Sequence, residues 1–492
     1  MKLGDLFPSG VLADAAGTEI SGLTADSRKV RPGFLFAALE GVAAHGRDYL
    51  AQAKANGAAA VLSAGDLGAA PGIAHVVDAN PRRAFALAAS KFYPRRPETI
   101  VAVTGTNGKS STVDFLRQIW AHAGKRTASL GTLGAIGPDN GNIGGVIDLG
   151  HTTPDPVAVH ETLQRLADDG VSCAAMEISS HGLMQHRADG LLFKAGAFLN
   201  LTQDHLDYHE TMDAYRDAKL RLWDLLERDA DAVAVVNADS PYGVEFERAA
   251  RACGHAVLET GWRAGDYGLK IVEIQPRPNA QSLKLRWKTA QVSGEHKVEL
   301  PLIGEFQAIN AVTAATLALA LGEAPEAVWA GMEVLKPVKG RMEHVGQSTG
   351  GGHVFVDYAH TPDGLDVLLR AARPHAPGRI IAVFGCGGDR DADKRPKMGA
   401  VAARHADVVI VTDDNPRGED AGAIRAQILK AAPNAVEIGD RARAIREAVS
   451  MLKPGDALMI AGKGHETGQI IKGVTHPFSD QDVARAALES QA

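Results

Sequence analysis

Residues 103–112, which read VTGTNGKSST, contain the glycines, the lysine and the hydroxyl side chains of a phosphate-binding loop. They follow an apolar run at residues 99–103 and precede a stretch with helical periodicity that begins at Val113. A glycine-rich turn between a strand and a helix directs backbone N–H groups and the positive helix end toward one point, which suits a nucleotide phosphate. Lys109 can reach the β- and γ-phosphates, and the Ser110 hydroxyl can bind magnesium. The segment therefore predicts phosphoryl transfer from a nucleotide and raises the question of the acceptor.

The loop departs from the usual G-x-x-x-x-G-K-S/T spacing, because Val103 occupies the position of the first glycine. Gly-Lys-Ser also occurs in ordinary turns, so a simple turn is the alternative when these ten residues are taken alone. The strand pattern before the loop and the helix pattern after it favour the nucleotide site.

Polar residues directly follow other apolar runs, at the points where the carboxyl ends of parallel strands would bring ligand-binding groups together. Glu177 follows the run at 173–176, and His205 comes shortly after the run at 198–201. A carboxylate and an imidazole beside Ser110 could bind magnesium, which prefers oxygen ligands and tolerates some nitrogen. The alternative for each residue alone is a helix cap or a structural histidine. Convergence on one sheet edge favours the functional interpretation.

Lys219 interrupts the apolar face of a helix predicted for residues 212–226. Met212, Tyr215, Lys219 and Leu222 recur at spacings of three and four and therefore share one face. Burial of an ammonium lowers its pKa and makes the amine nucleophilic. The alternative is a lysine at the edge of the stripe whose charged end reaches water.

The chain has 492 residues, of which 45% are hydrophobic and 5% aromatic, and its formal net charge is −7. This length predicts about three domains. The mild acidity gives no electrostatic footprint for nucleic acid, and the sequence has no basic run suited to a membrane surface and no apolar run of about 18 residues. Three scattered cysteines are too few for a disulfide framework. We expect a cytoplasmic protein that binds neither nucleic acid nor membrane.

Two breaks divide the chain, at Pro94–Pro97 and at residues 336–340. Between them, apolar runs alternate with helical periodicity, which favours a parallel sheet covered by helices. Within this part, residues 269–300 change character, with alternating apolar and polar residues at 283–287 and 297–300, and predict a small antiparallel insertion. The alternation of strands and helices restarts near residue 354. The sequence predicts an α/β protein with boundaries near residues 97 and 337.

Four segments together resemble the central domain of the Mur ligases, the ATP-dependent amino-acid ligases of peptidoglycan synthesis. They are TGTNGKS at 104–110, EISSHG at 177–182, DHLDYH at 204–209 and YRDAK at 215–219. The resemblance spans nearly the whole chain in the family's three-domain order. It implies a small α/β N-terminal domain at 1–97 that binds the UDP-linked substrate. A central P-loop, parallel-sheet ATPase domain at 98–337 and a Rossmann-like, amino-acid-binding C-terminal domain at 338–492 would follow.

The resemblance also implies roles for residues of the nucleotide site. Lys219 matches the lysine that the family carbamylates (N6-carboxylysine), which would turn a buried cation into a magnesium-binding anion. The implied catalytic residues are Lys109, Lys219, Glu177 and His205, and the implied metal ligands are Ser110, Glu177, His205 and Lys219. GEFQAIN at 304–310 resembles the adenine-side motif, with Gln307 where asparagine is most familiar, and GRME at 340–343 resembles the hinge. The implied ATP contacts are Gly105, Thr106, Asn107, Gly108, Lys109, Ser110, Ser111, Asn310 and Arg341.

The N-terminal segment resembles the uridine-binding domain of the family member that acts on UDP-N-acetylmuramoyl-L-alanyl-D-glutamate. The resemblance lies in Ser27-Arg28 and in HGRDY at 45–49. Taken alone, Ser27-Arg28 also fits an ordinary loop. The implied contacts to this substrate are Ser27, His45, Asn107, Thr152, Thr153, Ser179, Gln185 and Arg187.

DNPR at 414–417 follows the apolar run at 408–411 and resembles the signature that separates diaminopimelate-adding from lysine-adding members. The second carboxylate of meso-diaminopimelate can pair with a planar guanidinium through two parallel hydrogen bonds. The alternative is that Asn-Pro-Arg merely ends a strand. The implied diaminopimelate contacts are Arg390, Asp414, Asn415, Pro416, Arg417, Gly462 and Glu466.

Residues and resemblance together predict an ATP- and Mg²⁺-dependent, monomeric ligase. It would join meso-diaminopimelate to the D-glutamate γ-carboxylate of UDP-N-acetylmuramoyl-L-alanyl-D-glutamate through an acyl phosphate. One alternative is the same ligase adding L-lysine, which Arg417 disfavours. Another is a ligase like folylpolyglutamate synthetase, in which the N-terminal domain would have no role. A third is a catalytically idle nucleotide-binding regulator, against which intact Lys109, Glu177, His205 and Lys219 argue.

Overall fold

The structure, a computed structural model, describes residues 1–11, 14–41, 45–65, 73–138, 151–228, 232–289 and 293–491. The chain forms two compact units. The first comprises Met1–Thr260 with Thr316–Val328, and the second comprises Gly261–Ala315 with Trp329–Ala492.

The first unit begins with a small parallel sheet in the strand order β1-β2-β3-β4. Its core contains Leu35, Leu62 and Phe85, all essentially inaccessible to solvent. Asn80 caps the third helix through its side chain, and Pro81 occupies the first turn, where proline is well tolerated. These elements are β1 Gly22–Thr24, β2 Phe34–Ala37, β3 Ala60–Ser63, β4 Ala74–Val77, α1 Leu3–Leu6, α2 Leu50–Ala55 and α3 Pro81–Phe92.

A larger sheet follows in the first unit, with the strand order β11-β10-β9-β5-β8-β6-β7. All neighbours in it are parallel except β6 and β7. The strands are β5 Thr99–Thr104, β6 Thr127–Gly131, β7 Gly134–Ile136, β8 Cys173–Glu177, β9 Ala195–Phe198, β10 Val233–Asn237 and β11 Ala256–Gly261. The helices are α4 Lys109–His122, α5 Pro156–Asp168, α6 Ser180–Met184, α7 Leu206–His209, α8 Met212–Leu220 and α9 Gly243–Ala252.

The parallel sheet explains the apolar runs of the sequence. Strands β5 and β8 are buried along nearly their whole length, as expected for central strands that are covered on both faces. The predicted strand at 173–176 is confirmed. The run at 198–201 is wrong as a strand, because β9 ends at Phe198 and the chain leaves the sheet there. The helix predicted for 212–226 is wrong in its second half, because α8 ends at Leu220 and the chain tightens into a 3₁₀ helix at Arg221–Leu225.

The second unit contains the predicted antiparallel insertion and a six-stranded sheet. The insertion has the order β14-β13-β12, with antiparallel neighbours. The six-stranded sheet has the order β15-β16-β20-β17-β18-β19 and is parallel except for β15 and β16. Strands β20, β17 and β18 are neighbours, so the loops that follow them leave the same edge of the sheet.

The strands and helices of this unit agree with the expected restart of strand and helix alternation near residue 354. The strands are β12 Gly268–Arg277, β13 Ala280–Lys288, β14 Ser293–Leu300, β15 Glu343–Gln347, β16 His353–Asp357, β17 Ile380–Phe384, β18 Val408–Val411, β19 Val436–Glu437, β20 Ala457–Ala461, β21 Gly468–Ile471 and β22 Val474–Pro477. The helices are α12 Pro362–Ala372, α13 Lys394–His405, α14 Ala421–Leu429, α15 Arg441–Ser450 and α16 Asp480–Glu489. Helices α10 Glu305–Ala320 and α11 Pro325–Met332 contain residues of both units.

In the part of the chain that the structure describes, every helix is too short or too polar to cross a membrane.

Candidate functional site

The predicted phosphate-binding loop connects β5 to α4. Gly108 precedes the helix with a φ of +88°, a left-handed conformation that glycine adopts without strain. Lys109 is the first residue of α4, and its Nζ donates to the carbonyl oxygens of Gly105 and Thr106, both at 2.9 Å. Ser110 and Ser111 follow in the first turn. The lysine and the amino end of a helix therefore meet at the loop, as an anion site requires.

Asn200, which the sequence analysis did not single out, holds this loop in place. Its Oδ1 accepts hydrogen bonds from the backbone N–H groups of Thr106 and Asn107, at 3.1 and 2.9 Å. Its Nδ2 donates to the carbonyl oxygen of Asn107 at 3.1 Å. Asn200 comes two residues after β9, the neighbour of β5, so a polar residue closely following an apolar strand was the available signal.

Lys219 lies at the end of α8 and is only 1% exposed. Its Nζ donates to the carbonyl oxygen of Gly105 at 3.0 Å, the same oxygen that binds Lys109, and lies 4.6 Å from the ring centre of Tyr215. Burial, followed by the nearby charge of Lys109, holds the pKa of Lys219 well below its ordinary value. The alternative of a lysine that reaches water is wrong. A neutral amine is also the form that can react with carbon dioxide to give a carbamate.

Glu177 ends β8 and is 3% exposed. Its Oε1 accepts a hydrogen bond from the backbone N–H of Thr132 at 2.9 Å, and its Oε2 accepts one from the Thr132 hydroxyl at 3.3 Å. Gly131 stands directly beside the carboxylate, since a Cβ at this position would lie 2.0 Å from Oε1. A side chain at residue 131 would therefore have to displace this buried carboxylate.

His205 precedes α7 in a left-handed conformation with a φ of +52°. Its side chain is about half exposed, and its Nε2 lies 3.4 Å from Oδ2 of Asp204. The ring packs edge-on against His181 at a centroid distance of 4.8 Å, and His181 lies 4.1 Å from the ring of Tyr208. These aromatic contacts orient the imidazole while part of it stays accessible to a ligand.

The predicted magnesium ligands offer donor atoms of several kinds. Among the described residues, no group of three or more His, Cys, Asp and Glu side chains is arranged to hold a metal ion. The predicted set contains only two such residues, Glu177 and His205, and needs the Ser110 hydroxyl and a carbamate on Lys219. The lowered pKa of Lys219 favours the neutral amine that carbamylation requires. With a carbamate on Lys219, the set would offer the carboxylate, hydroxyl and imidazole donors that a hard cation accepts.

The hydroxyl residues predicted to hold the muramoyl-dipeptide lie beside Glu177. The hydroxyl of Thr153 donates to the Glu177 carbonyl oxygen at 3.1 Å and accepts from the backbone N–H of Ser179 at 2.9 Å. The hydroxyls of Thr152 and Thr132 are 3.1 Å apart. The structure thus brings Thr152, Thr153 and Ser179 together around the predicted metal ligand.

Gln185 and Arg187 extend this group of residues. Arg187 donates through NH1 to the Thr153 carbonyl oxygen at 2.7 Å and through NH2 to Oε1 of Gln185 at 2.8 Å. The Gln185 amide donates to the Tyr208 hydroxyl at 3.2 Å. Burial lowers the pKa of the partly desolvated Arg187 guanidinium.

Ser27 and His45 lie in the N-terminal part of the first unit and make local contacts there. The buried Ser27 hydroxyl donates to Oε1 of Gln52 at 2.7 Å. The His45 Nδ1 accepts from the backbone N–H of Arg47 at 3.2 Å at the start of a 3₁₀ turn. Each therefore has a local structural role beside the binding role that the sequence predicts.

In the second unit, the residues predicted to bind diaminopimelate occupy loops after β17, β18 and β20. Asn415 donates through Nδ2 to Oε2 of Glu466 at 2.9 Å. Arg417, with a φ of +52°, donates through NH1 to the Gly388 carbonyl oxygen at 2.8 Å. A Cβ at Gly462 would lie 2.7 Å from Oδ2 of Asp414, so the loops approach closely. The structure brings these loops together.

Arg390 lies in the loop after β17 and is exposed. The loop itself is held by Arg395, whose guanidinium donates to both oxygens of Glu419 at 2.9 and 2.8 Å and to the Gly387 carbonyl oxygen at 3.1 Å. Arg390 therefore projects from a fixed loop.

Lys463 is a residue of this site that the sequence analysis missed. Its ammonium is fully buried and donates to Oδ1 of Asn415 at 2.9 Å and to Oε2 of Glu466 at 3.1 Å. Both acceptors are predicted substrate contacts. The signal available in the sequence was a charged residue within two positions of a strand end.

On the adenine side, Gln307 joins two residues that were predicted to contact ATP. Its Nε2 donates to the Arg341 carbonyl oxygen at 3.1 Å, and its Oε1 accepts from Nδ2 of Asn310 at 3.1 Å. The Arg341 guanidinium lies over the ring of Tyr358 at 4.7 Å. Gln307 therefore orients its neighbours in this unit.

Comparison with known proteins defines the class to which this fold and site belong. Three family profiles match: "Mur ligase family, catalytic domain" at residues 19–99, "Mur ligase middle domain" at 103–318 and "Mur ligase, glutamate ligase domain" at 340–464. The chain belongs to the Mur ligase family, which confirms the predicted family and fold class.

Individual relatives match over the full length. A protein of Caulobacter vibrioides is 49% identical over 489 residues, which cover 99% of each chain, and one of Rhizobium meliloti is 48% identical over 99% of each. Both are named UDP-N-acetylmuramoyl-L-alanyl-D-glutamate--2,6-diaminopimelate ligase. A solved structure of a protein with the same name has a TM-score of 0.76 and 32% identity, covering 100% of this chain and 99% of that one.

Proposed function

We propose that this chain ligates meso-diaminopimelate to the D-glutamate γ-carboxylate of UDP-N-acetylmuramoyl-L-alanyl-D-glutamate at the expense of ATP. The products would be the UDP-linked tripeptide, ADP and phosphate. The observation that carries this proposal is the full-length similarity, at nearly half of all positions, to relatives that bear the name of this reaction. The loop geometry and the paired polar residues described above support it independently.

The first chemical step would activate the carboxylate. An anionic carboxylate is a poor electrophile, so one of its oxygens attacks the γ-phosphorus of ATP, ADP leaves, and an acyl phosphate forms. Lys109 and the backbone N–H groups at the amino end of α4 would neutralise charge on the transferred phosphoryl group, while Asn200 holds the preceding loop in place. In this structure the Lys109 ammonium rests on loop carbonyl oxygens, and it would move from them to the phosphate.

The second step would form the amide. The amine of diaminopimelate attacks the acyl carbon, loses a proton, and expels phosphate together with the oxygen that had belonged to the carboxylate. Thr152, Thr153 and Ser179 lie around Glu177, where they would orient the dipeptide part of the substrate. Arg187 would pair with an anionic group of the same substrate.

Magnesium fits the donor set as a cofactor if Lys219 carries a carbamate. When bound, magnesium would offset negative charge on the phosphates. Glu177 is held in place for this role by Thr132, and His205 by its aromatic neighbours. We propose Ser110, Glu177, His205 and carbamylated Lys219 as its ligands.

Recognition of the amino acid would fall to the loops of the second unit. Oε2 of Glu466 accepts from Asn415 and Lys463, and Oε1 makes no hydrogen bond among the described residues, so it can accept from the distal ammonium of diaminopimelate. The Arg417 and Arg390 guanidinium groups would pair with the distal carboxylate. Such pairing favours diaminopimelate over L-lysine, which lacks that carboxylate.

We keep three further predictions as part of the proposal. The domain boundaries lie near residues 97 and 337. The chain acts as a monomer, since the reaction needs no residue from a second copy in this scheme. Dependence on ATP and a nucleotide-linked substrate favours the cytoplasm as its location.

Phosphate release by the purified protein tests the proposal. The assay contains ATP, MgCl₂ and UDP-N-acetylmuramoyl-L-alanyl-D-glutamate, with meso-diaminopimelate, L-lysine or no amino acid, and mass spectrometry identifies the nucleotide product. We expect phosphate and a tripeptide only with meso-diaminopimelate. Turnover with lysine instead would overturn the proposed amino acid, and no turnover with any amino acid would overturn the proposed reaction.

A further inference from the structure

Arg441 and Asp480 form a fully buried ion pair in the second unit, and neither is among the predicted substrate contacts. Both side chains have no exposed surface. Arg441 donates through Nε and NH2 to the two oxygens of Asp480, each at 2.7 Å. Arg441 begins α15 and Asp480 begins α16, so the pair ties together the amino ends of two helices that lie far apart in the sequence.

The remaining donors of Arg441 reach the backbone at two loop origins. NH2 donates to the carbonyl oxygen of Ala461 at 2.9 Å, and NH1 donates to that of Asp413 at 3.4 Å. Ala461 is the last residue of β20, and the loop that follows it carries Gly462, Lys463 and Glu466. Asp413 directly precedes Asp414–Arg417. One guanidinium thus holds the starting points of both loops that carry most of the proposed diaminopimelate contacts.

The charges around Arg441 also connect it to the proposed diaminopimelate contacts. Burial alone would lower the pKa of Arg441, but the carboxylates of Asp480, Asp414 and Glu466 raise it above its ordinary value. Arg441 therefore interacts through charge with two proposed substrate contacts, Asp414 and Glu466, in addition to its hydrogen bonds to the backbone of Ala461 and Asp413. Because a guanidinium presents its donors in one rigid plane, it also fixes the relative directions of the acceptors that it binds, whereas the ammonium of a flexible lysine imposes no such plane.

We propose that Arg441, oriented by Asp480, is a positioning residue for amino-acid recognition. This inference rests on the proposed function. Arg441 acts by setting the spacing of the 414–417 and 462–466 loops. When a loop is displaced by about 1 Å, the rate of a reaction that depends on the geometry of its substrates falls by up to about 100-fold. Loss of the pair should therefore weaken the use of diaminopimelate specifically and leave the nucleotide and UDP-linked substrates unaffected.

A second Arg–Asp pair of the same sheet offers a matched control. Arg379 binds Asp456 at 2.6 Å and the Met451 carbonyl oxygen at 2.7 Å, next to the amino ends of β17 and β20. This pair stabilises the end of the sheet opposite to the loops. Its loss should lower thermal stability without changing the KM of any substrate.

The test compares Arg441→Lys, Asp480→Asn and the control Arg379→Lys with the wild type, measuring Tm and the KM of each substrate. We expect the KM of meso-diaminopimelate to rise about tenfold or more in the first two variants. We expect the KM values of ATP and the UDP-linked substrate to stay within about twofold. The control variant Arg379→Lys should lower Tm and leave the KM of every substrate unchanged.

An unchanged KM for meso-diaminopimelate in a folded Arg441→Lys or Asp480→Asn protein would overturn the positioning role. An equal rise of all three KM values would also overturn it, because that is the signature of general loosening. If neither variant folds, the pair serves stability alone and the inference fails. A wild type without turnover on meso-diaminopimelate would instead overturn the proposed function, and the inference with it.

Discussion

Replacing Gly131 with alanine is expected to displace the carboxylate of Glu177. A Cβ at residue 131 would lie 2.0 Å from Oε1 and 2.3 Å from Cδ of Glu177, whereas contacts of Cβ atoms under 3.0 Å essentially never occur. The carboxylate must therefore retreat by about 1 Å, which breaks or lengthens its hydrogen bonds to Thr132. Gly131 lies in β6 without a positive φ, so alanine adds no backbone strain.

The expected loss of activity follows from this displacement. Misplacing a catalytic group by about 1 Å costs about 100-fold in rate. This factor corresponds to about 2.7 kcal/mol of transition-state stabilisation. The assay measures initial rates of phosphate release as MgCl₂ is varied. We expect kcat/KM to fall by about 100-fold at the wild-type optimum of magnesium, with the midpoint of the magnesium curve shifted upward.

Two controls separate this effect from simple destabilisation. Gly17→Ala places a methyl group in open space and should change neither rate nor Tm. The double variant Gly131→Ala/Glu177→Asp removes one methylene from the displaced side chain, so it should be no slower than Glu177→Asp alone. Gly131→Ala with wild-type turnover and a wild-type magnesium curve would refute the role given to Glu177.

Three further predictions concern other parts of the molecule. Lys219→Ala should lose most activity and regain part of it with added formate or acetate, measured by phosphate release; full activity of the untreated variant would contradict a carbamate. Arg417→Ala should raise the KM of meso-diaminopimelate far more than that of ATP, and an equal effect on both would count against the recognition scheme. Burial lowers the pKa of His160 from its ordinary value of 6.5 to about 4. Between these two pH values, His160 binds a proton in the unfolded chain but not in the folded one. Stability should therefore fall by about 2 kcal/mol from pH 7 to pH 5 through this residue. A His160→Gln variant with the same pH dependence in urea unfolding would show that His160 contributes nothing.

The sequence predicts the sheets well because their strands are apolar along their whole length. Central parallel strands are covered on both faces, so β5, β8 and β17 appear as unbroken apolar runs whose ends can be read to within a residue or two. The antiparallel insertion is readable for the opposite reason, since one face is polar and the residues alternate. The helix at 212–226 was overextended, because apolar spacing of three and four also continues through the 3₁₀ helix that follows α8.

The residues that hold the site in place are much harder to predict. Asn200, Lys463 and Arg441 act by binding backbone carbonyl and N–H groups or other side chains of distant loops, and no local pattern identifies such partners. Gly131 shows the same limit, because only the three-dimensional structure places it against Glu177. The residues that we propose as substrate contacts belong to short motifs, whereas the residues that position those motifs are scattered along the chain.

The most direct test of the proposed reaction follows the oxygen atoms of the γ-carboxylate. The UDP-linked substrate is prepared with ¹⁸O in both γ-carboxylate oxygens and is incubated with ATP, MgCl₂ and meso-diaminopimelate, and the products are weighed by mass spectrometry. An acyl-phosphate ligase must deliver one ¹⁸O to phosphate and retain the other in the amide of a diaminopimelate-containing tripeptide. Unlabelled phosphate, or no such tripeptide, would contradict the proposed ligation.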